Sequence, residues 1–153
     1  QVVCGKQIVC LDRKNNLIID ESEVISKFGV SPNSIPDYLA LVGDSADGIP
    51  GIPKWGKKSS SIILSRYKDI EDIPSSSLLW DVSIRGSDGL SQSLETNRSD
   101  AMLYKELATL KLDVSLEEKV EDLGWKGAHE DLFKPLCVEL GMESLSRAVA
   151  LWS

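Results

Sequence analysis

The sequence predicts a mainly α-helical chain with one short β-hairpin, and three observations predict it. Apolar residues recur at three- and four-residue spacing through most segments, the period of a helix with one buried face. Only residues 7–19 replace that spacing with two apolar runs around a polar turn. At 153 residues, 42% hydrophobic and 27% charged, the chain has the size and composition of one soluble domain with a real core.

The runs IVCL and LII flank DRKNN, which is turn-prone, so residues Gln7 to Ile19 are expected to form the hairpin. Next comes DESEVISKFG. Asp20 is placed to cap a helix and Glu23 stands three residues on. Val24, Ile25 and Phe28 share one face, and Gly29 ends the segment. In SPNSIPDYLALVG, Pro36 suits only a first turn and Asp37 favours the positive end of the helix. Tyr38, Leu39, Leu41 and Val42 supply the inward face, with Gly43 as the stop. The segment GKKSSSIILSRY resumes a helix with Ile62, Ile63 and Tyr67 inward. KDIEDIPSSSLLW reads as a surface connection, with Asp69, Glu71 and Asp72 solvated, and RGSDG at 85–89 reads as a turn. Residues 90–95, 99–110 and 130–140 are expected as further helices, the second with Met102, Leu103, Glu106, Leu107 and Leu110 at helical spacing. Trp80, Trp125 and Trp152 are read as packing residues, and His129 as solvated or capping.

The net charge of −7 argues against a phosphate-rich partner, but its distribution does not. Residues 51–68 hold five bases (Lys54, Lys57, Lys58, Arg66, Lys68) and no acid, leaving 12 bases against 24 acids elsewhere. Cys4, Cys10 and Cys137 lack paired zinc-ligand spacing, so they read as reduced, buried thiols. No apolar run approaches the ~20 residues of a membrane span, and the N-terminus lacks the pattern of a secretion signal. A cytoplasmic protein with no membrane role is expected.

The stretch GDSADGIPGIPKWGKK at 43–58 concentrates the chemistry. Asp44 and Asp47, three apart, can project to one side, and two carboxylates with a phosphate oxygen suffice for a hard divalent cation. A local account competes with this: Asp44 caps the turn and Asp47 makes an Asx-turn before Gly48. Spacing alone favours the local account. Beyond them, Gly51 and Gly56 allow close backbone approach and Pro50 and Pro53 stiffen the bend. The loop then opens onto a helix N-terminus, where N–H groups bind phosphate. Lys54, Lys57 and Lys58 add charge, and Ser59 or Ser60 could donate to the same phosphate. Trp55 is expected to fold back onto the core.

The run FGVSPNSIPDYLALVGDSADGIPGIPKWGKKSSSIIL resembles the helix-three-turn-helix part of the 5′-to-3′ exonuclease and flap endonuclease family, which includes the nuclease region of bacterial family-A DNA polymerases. Gly43, Asp44, Asp47, Pro50 and Gly51 match that family's G-D-x-x-D-N-x-P-G segment. Asn97, Arg98, Leu107, Ala108, Leu110, Asp113 and Val114 fit its later helices. Gly48 stands where the family usually has Asn, and Lys54 where its hairpin has a middle glycine.

The resemblance implies a mainly α, helix–hairpin–helix-containing C-terminal subdomain. Residues 1–19 would be a hairpin remnant of a preceding α/β (PIN-like) nuclease domain, 20–115 the DNA-binding domain and 116–153 a helical extension. It implies that Asp44 and Asp47 help hold the second of two Mg²⁺ or Mn²⁺ ions. It places Gly51, Ile52, Lys54, Gly56, Lys57, Lys58 and Ser59 on the phosphate backbone of double-stranded DNA with a nick, flap or 5′ end, with K⁺ at the hairpin carbonyls. The expected whole is the DNA-binding portion of a metal-dependent 5′-nuclease of replication or repair, a monomer. It would partner an N-terminal nuclease domain and cleave poorly or not at all alone, since a two-metal hydrolysis needs more carboxylates. Two other readings stay open: a nonenzymatic duplex-DNA clamp, and a helical protein-interaction domain with an acidic surface.

Overall fold

The computed structural model describes all residues, Gln1–Ser153. They form two compact units, Gln1–Lys111 and Leu112–Ser153. The first is mainly helical with one small antiparallel hairpin, β1 (Cys10–Asp12) against β2 (Leu17–Ile19), in the register Cys10 to Ile19. Its turn is closed by the Asp12 carboxylate, which accepts the N–H groups of Lys14 and Asn15. Helix α1 (Glu21–Phe28) starts as its sequence requires: Asp20 accepts the Glu23 N–H, and Gly29 takes the left-handed conformation at φ 73° to end it. Val24 is its buried residue, whereas Ile25, expected inward, is exposed.

A 3₁₀ turn (Pro32–Ser34) leads into α2 (Ile35–Val42), with Pro36 in the first turn. After the loop 43–56 comes α3 (Lys57–Tyr67), whose Ile63 and Leu64 are fully buried. Helices α4 (Ser87–Thr96) and α5 (Arg98–Ala108) complete the unit. The stretch at 85–89 is thus only half a turn: Gly86, at φ 77°, caps α4, and Ser87 to Gly89 are already helical. The core joins Tyr38, Leu41, Ile52, Trp55, Ile63, Leu64, Ile70, Trp80 and Leu94. Trp55 folds inward as expected, its indole N–H donating to the Leu90 carbonyl at 3.2 Å and its ring 6.1 Å from that of Trp80.

The α5 face differs from the one its apolar pattern suggests. Leu103, Leu107 and Leu110 are exposed, while Ala101 and Ala108 are buried and Tyr104 and Lys105 half-buried. Small alanines let α5 lie close along α2, the most extensive helix pairing in the chain. The inward stripe also contains a lysine because α2 carries a carboxylate to meet it. Asp37 is fully buried, and Lys105 Nζ lies 2.9 Å from it, 3.2 Å from Asp69 and 2.8 Å from Glu71. Asp69 and Glu71, half-exposed as a surface turn would have them, are also ion-pair partners. Arg98 ties the same segment down, donating to the carbonyls of Ile70 and Ile73.

The second unit contains a 3₁₀ turn (Val120–Leu123), α6 (Glu130–Glu139) and a longer 3₁₀ segment (Glu143–Ala148). Ala128 bridges Trp152, Phe133 packs on the Trp152 ring at 6.0 Å, and Cys137 is buried. Cys4 and Cys10 are exposed, contrary to the sequence expectation, because the hairpin region that carries them has little packed over it. Trp125 is 71% exposed and is not a packing residue. No helix is long and apolar enough to cross a membrane.

Candidate nucleic-acid interface

The loop between α2 and α3 is built on two glycines pressed against each other's neighbourhood. Gly43, at φ 89°, ends α2, and a Cβ there would lie 2.8 Å from the Ile49 carbonyl oxygen. Gly51, at φ 75°, sits so close to the end of α2 that a Cβ would meet Gly43 N at 2.6 Å. The close approach that Gly51 permits is thus to its own chain. Gly48 and Gly56 are the loop glycines with open space beside them.

Between these glycines, Asp44 and Ile49 exchange two backbone hydrogen bonds of 2.8 Å, closing a turn over Ser45 to Gly48. Asp44 Oδ1 accepts the Ala46 N–H at 2.9 Å, the local role its spacing suggested, and one carboxylate oxygen remains without a protein partner. Asp47 is exposed and Asp44 half-buried. Two hard oxygen donors of this kind suit a Mg²⁺ or Mn²⁺ ion that keeps several waters. A cluster of three carboxylates lies elsewhere, at Asp37, Asp69 and Glu71. That cluster already encloses the Lys105 ammonium, which takes the place a cation would occupy.

The second half of the loop is anchored by Ile52, buried and donating its N–H to the Leu41 carbonyl at 2.9 Å, and by Trp55. The Ile52 side chain therefore belongs to the core. Between these anchors Lys54 is forced to φ 71°, the left-handed region that a glycine would occupy without strain. Gly56 is the N-cap of α3; its N–H donates to the Ser59 hydroxyl, which donates in turn to the Gly56 carbonyl. No side chain reaches the N–H groups of Lys57 and Lys58, so the positive end of α3 is open. Ser60 is not available there: its hydroxyl is fully buried.

Around this end lies a groove of about 550 Å³ lined by Lys54, Gly56, Lys57, Lys58, Ser59 and Arg85 together with Ile62, Ser83 and Ile84. Its wall contains four cations and no acid, and none of the four is ion-paired. Arg85 was missed in the sequence because it stands alone in a turn 27 residues beyond Lys58. A second hollow, of about 380 Å³, borders Asp44 and includes Lys27, Phe28, Tyr38 and again Lys57.

Residues 30–131 match the family model described as 5′-3′ exonuclease, C-terminal SAM fold. The chain belongs to that family. Among the relatives of this 5′-3′ exonuclease family, a 5′-3′ exonuclease of Aquifex aeolicus is 33% identical over 145 residues, which is 95% of the chain and 47% of the relative. One of Buchnera aphidicola subsp. Acyrthosiphon pisum is 34% identical over 112 residues, 72% of the chain and 39% of the relative. A DNA polymerase I of Caldicellulosiruptor bescii is 36% identical over 128 residues, 84% of the chain and 14% of the relative. The chain thus spans less than half the length of each. The match covers α2, the glycine-bearing loop, α3, α4 and α5.

Proposed function

We propose that this chain is the DNA-gripping portion of a structure-dependent, divalent-metal-dependent 5′-to-3′ exonuclease or flap endonuclease acting in DNA replication or repair. The observation that carries this reading is the acid-free groove at the start of α3, with four unpaired cations, in a chain whose net charge is −7. The groove gathers four cations and no acid although acids outnumber bases 24 to 17 along the chain. Such a groove takes phosphates without reading sequence, which suits an activity directed at the structure of a duplex, a nick, a flap or a 5′ end.

Residues 20–115 would form the DNA-binding body, with Gly51, Lys54, Gly56, Lys57, Lys58 and Ser59 at or behind the phosphate backbone and Ile52 fixing the loop from within. A K⁺ ion at the loop carbonyls belongs to the same proposal. Asp44 and Asp47 would hold one Mg²⁺ or Mn²⁺ ion, which when bound supplies charge neutralisation at the scissile phosphate. The protein's own part is to set the strand against that point: Lys57 borders both the groove and the hollow beside Asp44. Two carboxylates are fewer than a two-metal site requires, so binding rather than cutting is the activity inferred for this chain by itself. An N-terminal nuclease domain is the partner the reading calls for, in a monomeric, cytoplasmic protein.

Replacing Asp44 and Asp47 together by alanine tests the assignment. Calorimetric titration with Mn²⁺ is expected to lose the binding isotherm, while affinity for nicked duplex in the absence of metal stays the same or rises. Unchanged Mn²⁺ binding in D44A/D47A would overturn the metal assignment, and the nonenzymatic clamp would then be the better account of DNA binding.

A further inference from the structure

The cations that face the two hollows do not all belong to the loop between α2 and α3. Arg85 comes from the segment just before α4, and Lys27 from the last turn of α1. Both are exposed and neither is ion-paired. Lys27 is held where it is by its own helix: Nζ lies 5.0 Å above the Phe28 ring, and the C-terminal end of α1 favours a cation. Lys57 lines both hollows, so the groove bounded by Arg85 and the hollow beside Asp44 meet at one residue. In the second hollow Asp44 is the sole acid, with Lys27 and Lys57 on its rim.

A single lysine is most simply a solvated side chain, but these cations line two neighbouring hollows that share Lys57. The Lys54 stem also crosses the first turn of α4, with Nζ 3.6 Å from where a Gly89 Cβ would be. That is the positive end of a helix, where a cation is disfavoured, although the Asp88 carboxylate of that turn, hydrogen-bonded by the Ser77 hydroxyl, offsets part of the cost. The caps of both α3 and α4 are glycines that offer no side-chain acceptor. An anion in the groove would relieve this concentration of positive potential, and a polyanion spanning both hollows would relieve it at several points at once.

We propose that the phosphates of one DNA strand follow a track from Arg85 across Lys57 to Lys27, passing the carboxylate of Asp44, so that Arg85 and Lys27 are strand-binding residues outside the loop. The inference rests on the DNA-binding reading above and adds the path of the strand and the residues at its two ends. Lys27 closes the track at Asp44, which places a phosphate beside the carboxylate proposed to hold metal. Arg85 closes it at the far end, and Lys57 is the shared middle contact.

The test is binding of the full chain to a fluorescent nicked duplex as a function of KCl, for the wild type, K57A, R85A, K27A, R85K and K27R, with melting curves run alongside. R85A and K27A are each expected to weaken binding by about 3- to 10-fold at moderate salt and to lower the slope of log K against log salt by about one. The charge-conserving R85K and K27R are expected to keep the wild-type slope, and melting temperatures to stay within a few degrees because both side chains are exposed. If K57A flattens the slope while R85A and K27A match the wild type, the track ends at the loop and this inference fails while the DNA-binding reading survives. If the wild type itself shows no salt-dependent binding, the DNA-binding reading fails and the track falls with it.

Discussion

Asp37 and Lys105 are the residues on which the α2–α5 packing turns. Burial pushes the Asp37 carboxyl above its ordinary value, against the pull of Lys105 and of the Ile70 N–H. For Lys105, burial works against the ammonium, but the hydrogen bonds to Glu71, Asp37 and Asp69 outweigh it and raise its pKa well above 10.5. Replacing Lys105 by methionine would leave a fully buried carboxylate unpaired. The expected cost is about 3 kcal/mol, measured by urea denaturation, and D37N/K105M should recover part of it. The pH dependence has a definite sign. A lysine with a raised folded pKa contributes stability in full below pH 10.5 and loses it as pH climbs through the folded value. Burial alone would raise the Glu71 carboxyl, but the Lys105 hydrogen bond leaves it lowered; its contribution is present above pH 4.5 and fades as pH falls through the depressed value. The melting temperature gap between wild type and K105M should therefore be widest between about pH 5 and pH 10 and narrow on both sides. A gap independent of pH would mean the hub is packing rather than charge.

At the scale of elements, the sequence was legible wherever one residue dictates local geometry. Asp20 with Glu23 and Gly29 bounds α1, Gly43 ends α2, and the Asp12 turn closes the β-hairpin. It was least legible in α5, where an apolar pattern of leucines points outward and the buried stripe is two alanines beside Lys105. Pattern reading assigns lysine to solvent, and only the three carboxylates brought together from α2 and residues 69–71 reverse that assignment. Among the site residues, the loop lysines were legible as a cluster, while Arg85 and Lys27 were not, because folding alone brings them to the two hollows on either side of Lys57. The loop also carries a separable test of strain and charge. Lys54 at φ 71° pays the left-handed cost of about 1–2 kcal/mol, part of which glycine offsets with its larger unfolded-state entropy. K54G is expected to gain about 0.5–1 kcal/mol in denaturant unfolding. The same variant should bind duplex DNA more weakly and with a shallower salt slope. A variant that is less stable would show that the Lys54 stem across α4 matters more than its backbone strain.

For the whole molecule, the decisive property is that charge and fold are segregated. An acidic chain confines an acid-free positive groove to the neighbourhood of one glycine-built loop, beside a hollow bordered by Asp44. The membership in the 5′-3′ exonuclease C-terminal family accounts for the helical frame, and the chain spans less than half of each relative quoted. A binding half that positions a strand, with hydrolysis completed by carboxylates from elsewhere, is consistent with both facts. The measurement that tests this most directly is binding of the chain to a fluorescent nicked or flapped duplex, titrated against KCl with and without Mg²⁺, with strand integrity followed on denaturing gels. The account predicts tight binding at low salt that falls steeply as KCl rises, with the strands left intact. Absence of binding at low salt would contradict it and leave a protein-interaction domain as the better description, and cleavage would show that the chain holds more of the catalytic site than Asp44 and Asp47.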